Sequence, residues 1–214
     1  ETTSCFYNKD FRWGIDGVTY SDWVQLTDAN LQALVLNPAN KFWIQTYNLT
    51  AIRDDRGQVV RHLLDSLVIA PFVKPDDFSD VGSGAGLPGI PLAICHPGRK
   101  AVLIDSNGKK TRFLTQVKIE LGLDDVEIVQ GRIEDLMNLD FKQIVCRAFK
   151  PLDELVLSLK HALSLDGVIL AMIGKEPEPS VLEALKAQAE VTLKRLVVPG
   201  QDAERYLAEI VPKR

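Results

Sequence analysis

The chain has 214 residues, of which 46% are hydrophobic and 25% charged, and its formal net charge is -4 at pH 7. This length allows one α/β domain with a sizeable core plus a small extra element, and the composition is that of an ordinary globular protein. The acidic total excludes a generally basic nucleic-acid-binding chain, so any such binding must come from a local patch.

Residues 1–75 are predicted to form an N-terminal segment with a small helical cap. The spacing of apolar residues predicts two short helices between residues 26 and 50, interrupted at Pro38, and an amphipathic helix over residues 59–72. No apolar run approaches the roughly 18 residues that a membrane-spanning helix needs, so no membrane partner is expected.

Residues 76–214 are predicted to form one compact domain in which strands and helices alternate. The predicted strands are one ending at Asp80, then residues 100–104, 126–130, 144–146 and 168–173, and a closing antiparallel hairpin of residues 191–198 and 206–211. The predicted helices cover residues 109–121, 152–163 and 178–189. This alternation indicates an α/β fold with a mostly parallel, doubly wound sheet, whose ligand binds at the carboxyl ends of the first strands.

Glycines cluster directly after the first predicted strand, in Asp80-Val-Gly-Ser-Gly-Ala-Gly-Leu-Pro-Gly89. Such a turn between strand and helix typically holds a nucleotide-like ligand. The run from Gly84 to Gly89 satisfies the G-x-G-x-x-G dinucleotide pattern, and Asp105 follows at a suitable distance to bind a ribose. However, the strand reaches its first glycine two residues earlier, and Pro88 replaces a phosphate-binding amide. This arrangement favours S-adenosylmethionine and leaves a dinucleotide as the alternative.

Several separate motifs carry a more specific resemblance. They are residues 80–94, Leu103-Ile-Asp-Ser-Asn-Gly-Lys-Lys-Thr-Arg-Phe-Leu114, Tyr47-Asn-Leu-Thr-Ala-Ile52, Arg61-His-Leu-Leu-Asp-Ser66, Gly131-Arg-Ile-Glu134 and Cys146-Arg-Ala-Phe149. In these motifs the chain resembles the RsmG (GidB) family, the bacterial 16S ribosomal RNA guanine-N7 methyltransferases, from about residue 26 onwards. One departure is Ile173-Gly174-Lys175, where that family usually has Leu-Lys-Gly.

The resemblance implies a Rossmann-like S-adenosylmethionine-dependent methyltransferase fold. Its parts would be a seven-stranded, mostly parallel sheet, an antiparallel C-terminal hairpin and a helical N-terminal cap. It further implies a cytoplasmic monomer that uses S-adenosyl-L-methionine to methylate guanine N7 in 16S ribosomal RNA, either naked or in the small ribosomal subunit. The alternatives are a non-catalytic RNA- or ribosome-binding protein with the same fold, and a small-molecule methyltransferase, which would show an enclosed pocket.

The resemblance also implies a set of cofactor-binding residues: Gly82, Gly84, Gly86, Leu87, Asp105, Ile133, Glu134 and Arg147. Asp105 would bind the ribose, Ile133 and Glu134 would flank the adenine, and Arg147 would join the cofactor and RNA sites. Arg147 is also the predicted catalytic residue. Because N7 of guanine already offers a lone pair, the reaction needs no general base, and an arginine could hold O6 or a nearby phosphate.

The predicted RNA-binding residues are Arg61, His62, Lys109, Lys110, Arg112 and Arg132. A short basic run such as Lys109 to Arg112 usually marks a solvated helix face, but arginines brought to the same sheet edge would make it a phosphate-binding surface.

Each of the main site residues also has a purely structural interpretation. Asp105 or Glu134 could cap a following helix, Arg147 could form a buried ion pair, and Gly89 is expected to serve close packing only.

The remaining histidines and the cysteines are given structural roles. His96 and His161 are expected at the surface, and no metal site is predicted. Cys5, Cys95 and Cys146 are expected to be reduced thiols, buried at 95 and 146.

Overall fold

The computed structural model describes residues 14–15, 18–19, 59–198 and 203–213. The two helices predicted between residues 26 and 50 lie outside the described residues, as does Cys5. Gly14–Ile15 and Val18–Thr19 pair as a short antiparallel hairpin. Within the described part of the chain, no helix combines the length and apolar character required to cross a membrane.

The centre of the molecule is a seven-stranded sheet. Its strands are β1 (Phe78–Val81), β2 (Ala101–Asp105), β3 (Val126–Gln130), β4 (Phe141–Arg147), β5 (Leu163–Ile173), β6 (Ala189–Leu196) and β7 (Arg205–Pro212). The order across the sheet is β3-β2-β1-β4-β5-β7-β6. The first five strands are mutually parallel, and β7 is antiparallel to both of its neighbours. The predicted parallel sheet with a closing antiparallel hairpin is therefore confirmed.

Among the described residues, five α-helices accompany the sheet. They are α1 (Asp65–Leu67), which continues a π-helical segment at Val59–Leu64, α2 (Gly89–Cys95), α3 (Gly108–Leu121), α4 (Leu155–Leu159) and α5 (Pro179–Gln188). The helix predicted over residues 152–163 is shorter than expected, because α4 is flanked by 3₁₀ turns at Leu152–Glu154 and Lys160–Ala162. α3 begins where the Asn107 side chain accepts a hydrogen bond from the Lys109 amide, and it ends at Gly122 in the left-handed conformation.

Apolar side chains form a layer on each face of the sheet. One layer includes Leu67, Ile90 and Leu114, so the described part of the N-terminal segment shares a core with α2 and α3. The other layer includes Leu155 and Leu185 from α4 and α5. β1 and β2 are buried along their whole length, as expected of parallel strands covered by helices on both sides. In sheets of this kind ligands bind at the carboxyl ends of the strands, where the following loops begin.

Buried single residues test the sequence-based expectations. Cys95 and Cys146 are buried as predicted, and burial raises the pKa of each thiol to about 12, so both are poor nucleophiles. The prediction of a surface position for His96 is wrong, because its side chain is only 5% exposed. Burial, followed by the nearby charge of Arg99, lowers the pKa of His96 to about 4, so the ring is neutral at pH 7. His161 is exposed, as predicted.

Candidate active site

The glycine turn connects β1 to α2 and is fixed to the end of β2. The amides of Gly82 and Ser83 both donate to the carbonyl oxygen of Ile104, at 2.9 and 3.1 Å. Gly82, Gly84 and Gly86 have φ values of 74°, 58° and 83°, in the left-handed region where glycine is favoured. A Cβ on Gly82 would lie 2.5 Å from Cδ2 of Phe149, so this glycine also permits a close contact with the loop after β4.

The glycines of the turn have different surroundings. A Cβ on Gly84 would make only ordinary van der Waals contacts, at 3.7 Å from the Gly82 carbonyl oxygen and 3.9 Å from Lys110 Nζ, so this position is less crowded than its neighbours. A Cβ on Gly86 would lie within 2.8 Å of both Ile90 and Leu114, and the adjacent Leu87 is only 7% exposed. The least crowded part of the turn is therefore the Gly84 side. Gly89 serves close packing, as predicted, since a Cβ there would lie 2.5 Å from Asp80 Oδ2.

Asp105 ends β2 and lies directly against the glycine turn. Its Oδ2 accepts a hydrogen bond from the Gly84 amide at 2.9 Å, and its Oδ1 accepts one from the Asn107 amide at 2.8 Å. The ammonium group of Lys110 lies 3.7 Å from Oδ2. Asn107, and not Asp105, provides the side-chain cap of α3. Since a carboxylate can accept about four hydrogen bonds, Asp105 keeps lone pairs for a further donor.

Asp80 lies beneath the turn and is fully buried. Its Oδ2 accepts a hydrogen bond from the Gly89 amide at 2.9 Å, whereas Oδ1 has no hydrogen-bond partner among the described residues. Burial raises the pKa of Asp80 to about 7, and the Gly89 hydrogen bond and the charge of Arg147 oppose that rise. The acid of the glycine motif therefore supports the turn from inside, where solvent does not reach it.

A second group of polar residues meets at the carboxyl end of β4. The guanidinium of Arg147 donates from Nη1 to Asp65 Oδ2 at 2.9 Å, and Arg205 donates from Nε to Asp65 Oδ1 at 2.6 Å. The Asp65 side chain is 4% exposed and each arginine side chain 23% exposed. The structure thus shows the ion pair that was the structural alternative for Arg147, and it leaves part of that guanidinium exposed.

A cavity of 590 Å³ opens beside this ion-pair group, at the carboxyl ends of β4 and β5. Its lining includes His62, Asp65, Arg147, Phe149, Lys150, Met172, Gly174, Lys175, Glu176, Arg205 and Tyr206. Gly174, Lys175 and Glu176 are exposed, so the cavity is open to solvent on that side. The glycine turn does not line this cavity. Phe149 does, and it contacts Gly82, so its ring stands between the two halves of the site.

The residue after Arg147 adopts an uncommon backbone conformation. Ala148 has φ of 50°, in the left-handed region that L-residues with a Cβ seldom occupy. This single residue redirects the chain at the end of β4, with Arg147 on one side of it and Phe149 on the other. Backbone strain of this kind concentrates at functional sites. Nothing in the sequence signals it, because alanine has no special preference for positive φ.

The loop after β3 brings Glu134 to Lys150, which lines the cavity, but it buries Ile133. The Ile133 side chain is 2% exposed and belongs to the core, and its carbonyl oxygen lies 2.9 Å from Nε2 of His161. Lys150 donates to Glu134 at 2.5 Å and to Ser158 at 2.9 Å. The Lys150 hydrogen bond is also the main reason why the pKa of Glu134 is lowered. This ion pair joins the loop after β3 to the loop after β4.

The predicted RNA-binding residues divide into three groups. Lys109, Lys110, Arg112 and Arg132 are exposed, and His62 is half-buried at the cavity. The side chain of Arg61 lies outside the described residues. Sequence reasoning missed Asp65, Lys150 and Arg205 as site residues. Asp65 was within one of the recognised motifs, whereas Arg205 carried no signal beyond its position directly before the predicted strand of residues 206–211.

Comparisons with known proteins agree with this architecture. The family model described as rRNA small subunit methyltransferase G (GidB) matches residues 34–207. The ribosomal RNA small subunit methyltransferase G of Marinobacter nauticus is 50% identical over 188 residues, which cover 86% of this chain and 87% of that protein. The protein of the same name from Neisseria meningitidis is 44% identical over 175 residues, which cover 81% of this chain and 84% of that protein.

A solved structure resembles the chain in fold only. A glycopeptide N-methyltransferase complexed with S-adenosyl-L-homocysteine superposes with a TM-score of 0.59, over 82% of this chain and 98% of that chain. Its sequence identity is 11%, so this likeness concerns the arrangement of helices and strands.

Proposed function

The chain belongs to the rRNA small subunit methyltransferase G family, and we propose that it methylates N7 of a guanine in 16S ribosomal RNA, with S-adenosyl-L-methionine as methyl donor. The relatives are named for the substrate, and the fold is that of Rossmann-like methyltransferases. The observation that carries the proposal is the pairing of two adjacent sites. A glycine turn bonded to Asp105 lies on one side of Phe149, and an open cavity containing Arg147 lies on the other.

The residues of the glycine turn fit the proposed cofactor. Gly84 is the least crowded glycine of the turn, and Asp105 beside it retains lone pairs for the hydroxyl groups of a ribose. Gly82 and Gly84 would approach the cofactor through their backbone. Gly86 and Leu87 face the core, so their proposed role is to shape the turn. When bound, the cofactor supplies a sulfonium methyl group, whose bond to sulfur breaks as the bond to N7 forms.

The protein's own contribution is alignment and exclusion of water. N7 of guanine carries a lone pair, so no side chain has to remove a proton from it. The exposed part of Arg147 can donate to guanine O6 or to a phosphate while leaving N7 free. Arg147 does not stabilise the product charge, because N7-methylguanine is itself a cation. Phe149, between the two halves, is placed to keep water from the line of transfer.

The cavity favours a polymeric substrate over a small molecule. It is open along exposed residues after β5, including Lys175, whereas a small-molecule enzyme would enclose its substrate. The exposed Lys109, Lys110, Arg112 and Arg132 are proposed to contact RNA phosphates outside the cavity. A cytoplasmic location and a monomeric state remain predictions.

The proposal is tested by transfer of labelled methyl from S-adenosyl-L-methionine to 16S RNA, both naked and in 30S particles, with mapping of the labelled base. We expect label on N7 of a guanine in at least one of these substrates, and loss of at least ~100-fold in rate for Arg147→Ala, because alignment is the main catalytic effect. Lys118 is a half-buried lysine in the last turn of α3 and does not line the cavity, so Lys118→Ala serves as a cation-removal control and should keep the wild-type rate. Cofactor binding without label on either RNA would refute the ribosomal assignment.

A further inference from the structure

We propose that Arg147 and Arg205, held together by Asp65, form a binding site for a phosphodiester group of the RNA substrate. This inference rests on the proposed function, because it names the substrate group that the cavity holds. Arg147 comes from the end of β4, Arg205 begins β7, and Asp65 is the first residue of α1. The site therefore joins three elements that are distant along the chain.

The hydrogen bonds leave donors on both arginines. Asp65 uses one N–H of each guanidinium, Nη1 on Arg147 and Nε on Arg205, and Arg205 Nη1 also donates to the Glu204 carbonyl at 2.8 Å. A guanidinium has five N–H donors in a planar fork that matches the oxygens of a phosphate. Both arginines line the cavity, so the remaining donors have access to a ligand there.

The charge of the group suits a singly charged anion. One carboxylate between two guanidinium groups leaves a net charge of +1, and it cancels the repulsion that would drive the arginines apart. A phosphodiester carries one negative charge and accepts hydrogen bonds in the geometry that paired arginines offer. Asp65 is a positioning residue in this arrangement, because its side chain is only 4% exposed and a carboxylate does not itself bind an anion.

The carboxylate of the methionine part of the cofactor could accept hydrogen bonds from the same two arginines. The two sources differ in a measurable way. An RNA phosphodiester site predicts that Arg205 variants weaken RNA binding and leave cofactor affinity unchanged. A cofactor carboxylate site predicts the reverse.

The test measures binding of 16S RNA and of S-adenosyl-L-homocysteine separately, on the full-length protein, over a range of KCl concentrations. Arg205→Ala should weaken RNA binding about tenfold at low salt and reduce the salt slope by about 0.7, because one phosphate contact is lost. Arg195→Ala is the matched control, since Arg195 lies on the neighbouring strand β6, is exposed and does not line the cavity. It should leave the affinity and the slope near those of the wild type. Arg205→Lys, which keeps the charge without the planar fork, should fall between the two.

Asp65→Asn separates positioning from simple charge. It removes a negative charge, so an electrostatic effect alone would tighten RNA binding. If Asp65 instead holds the two arginines in place, Asp65→Asn should weaken RNA binding and reduce the salt slope. Asp65→Glu should recover part of both. Thermal unfolding verifies that each variant is folded.

The outcomes distinguish this proposal from the proposed function. An unchanged salt slope in Arg205→Ala, or tighter RNA binding in Asp65→Asn, would overturn the phosphodiester site while the wild type still methylates RNA. Weaker S-adenosyl-L-homocysteine binding with unchanged RNA binding in Arg205→Ala would overturn it in favour of the cofactor carboxylate. If the wild type transfers no methyl group to RNA, the proposed function fails independently of these variants.

Discussion

The glycine turn and the cavity beside it are built in different ways. The turn is held by main-chain hydrogen bonds between residues that neighbour one another on β1 and β2, such as Gly82 to Ile104. The cavity is shaped by side chains from residues 65, 147 and 205, which meet only when the sheet is complete. A ligand site made from backbone has a local signature in the sequence. A site made from distant side chains depends on strand order.

The two halves are nevertheless coupled. Phe149 belongs to the cavity wall and contacts Gly82 of the turn. The charge of Arg147, in the cavity, lowers the pKa of Asp80 beneath the turn. Substitutions in one half can therefore affect the other. Three substitutions test how the turn and the cavity differ in what stabilises them.

The largest expected effect concerns the pH dependence set by Asp80. Its pKa in the folded protein is about 7, compared with 3.8 for an unperturbed carboxyl group. The folded state therefore holds the proton more tightly, and stability falls as the pH rises from about 4 to about 7, by up to about 4 kcal/mol. Asp80→Asn removes this titration and keeps an acceptor for the Gly89 amide.

Urea unfolding of the wild type and Asp80→Asn between pH 4 and pH 8 measures this effect. The variant should gain stability relative to the wild type as the pH rises, and the difference should level off above about pH 7. Parallel profiles for the two proteins would show that Asp80 does not titrate in this window.

The next effect tests whether side chains hold the cavity together. Asp65→Ala leaves two partly buried arginines without their shared carboxylate, and we expect the free energy of unfolding to fall by about 3 kcal/mol. Asp76→Ala is the matched control, because its ion pair with Lys142 is exposed and should contribute less than about 1 kcal/mol. Equal losses for the two variants, measured by urea unfolding, would mean that burial of Asp65 confers no special stability.

The smallest effect tests the backbone of the turn. Gly82→Ala places a Cβ at φ of 74° and 2.5 Å from the Phe149 ring, so we expect a loss of about 2 kcal/mol and weaker cofactor binding. Gly174→Ala, at the cavity mouth, adds its Cβ to open space without a positive φ, and it should be neutral or slightly stabilising. Thermal unfolding and S-adenosyl-L-homocysteine titration measure both. A tolerated Gly82→Ala would mean that Phe149 moves aside easily.

Much of the fold was predictable because the parallel strands are short, apolar and separated by clear turns. β3 was predicted with its observed bounds, and the closing hairpin was confirmed. β5 was missed at its start, because Ser164, Asp166 and Gly167 interrupt the apolar pattern although Leu163 already pairs with Phe141. Hydrophobic periodicity identifies strands by their buried residues, so polar ends of long strands escape it.

The site was predictable to a smaller extent, for a related reason. The sequence places Gly84 and Asp105 at the ends of adjacent strands, and the structure brings them into direct contact. Nothing in the sequence indicates that Arg205 would contact Asp65, since that contact depends on β7 lying between β5 and β6. The prediction of a surface position for His96 was wrong because a polar residue type does not reveal whether its surroundings are buried.

The strand order has a consequence for how the chain is completed during its synthesis. β6 is made before β7, yet its only neighbour in the sheet is β7. A growing chain that has reached β6 therefore cannot pair that strand, and Asp65 can hold only Arg147 at that stage. When β7 emerges, it pairs β6, extends the sheet and delivers Arg205 to Asp65 in the same step. The group of Asp65, Arg147 and Arg205 is thus complete only when the sheet is complete, so a partly made chain can form the glycine turn while it still lacks the full proposed phosphodiester site.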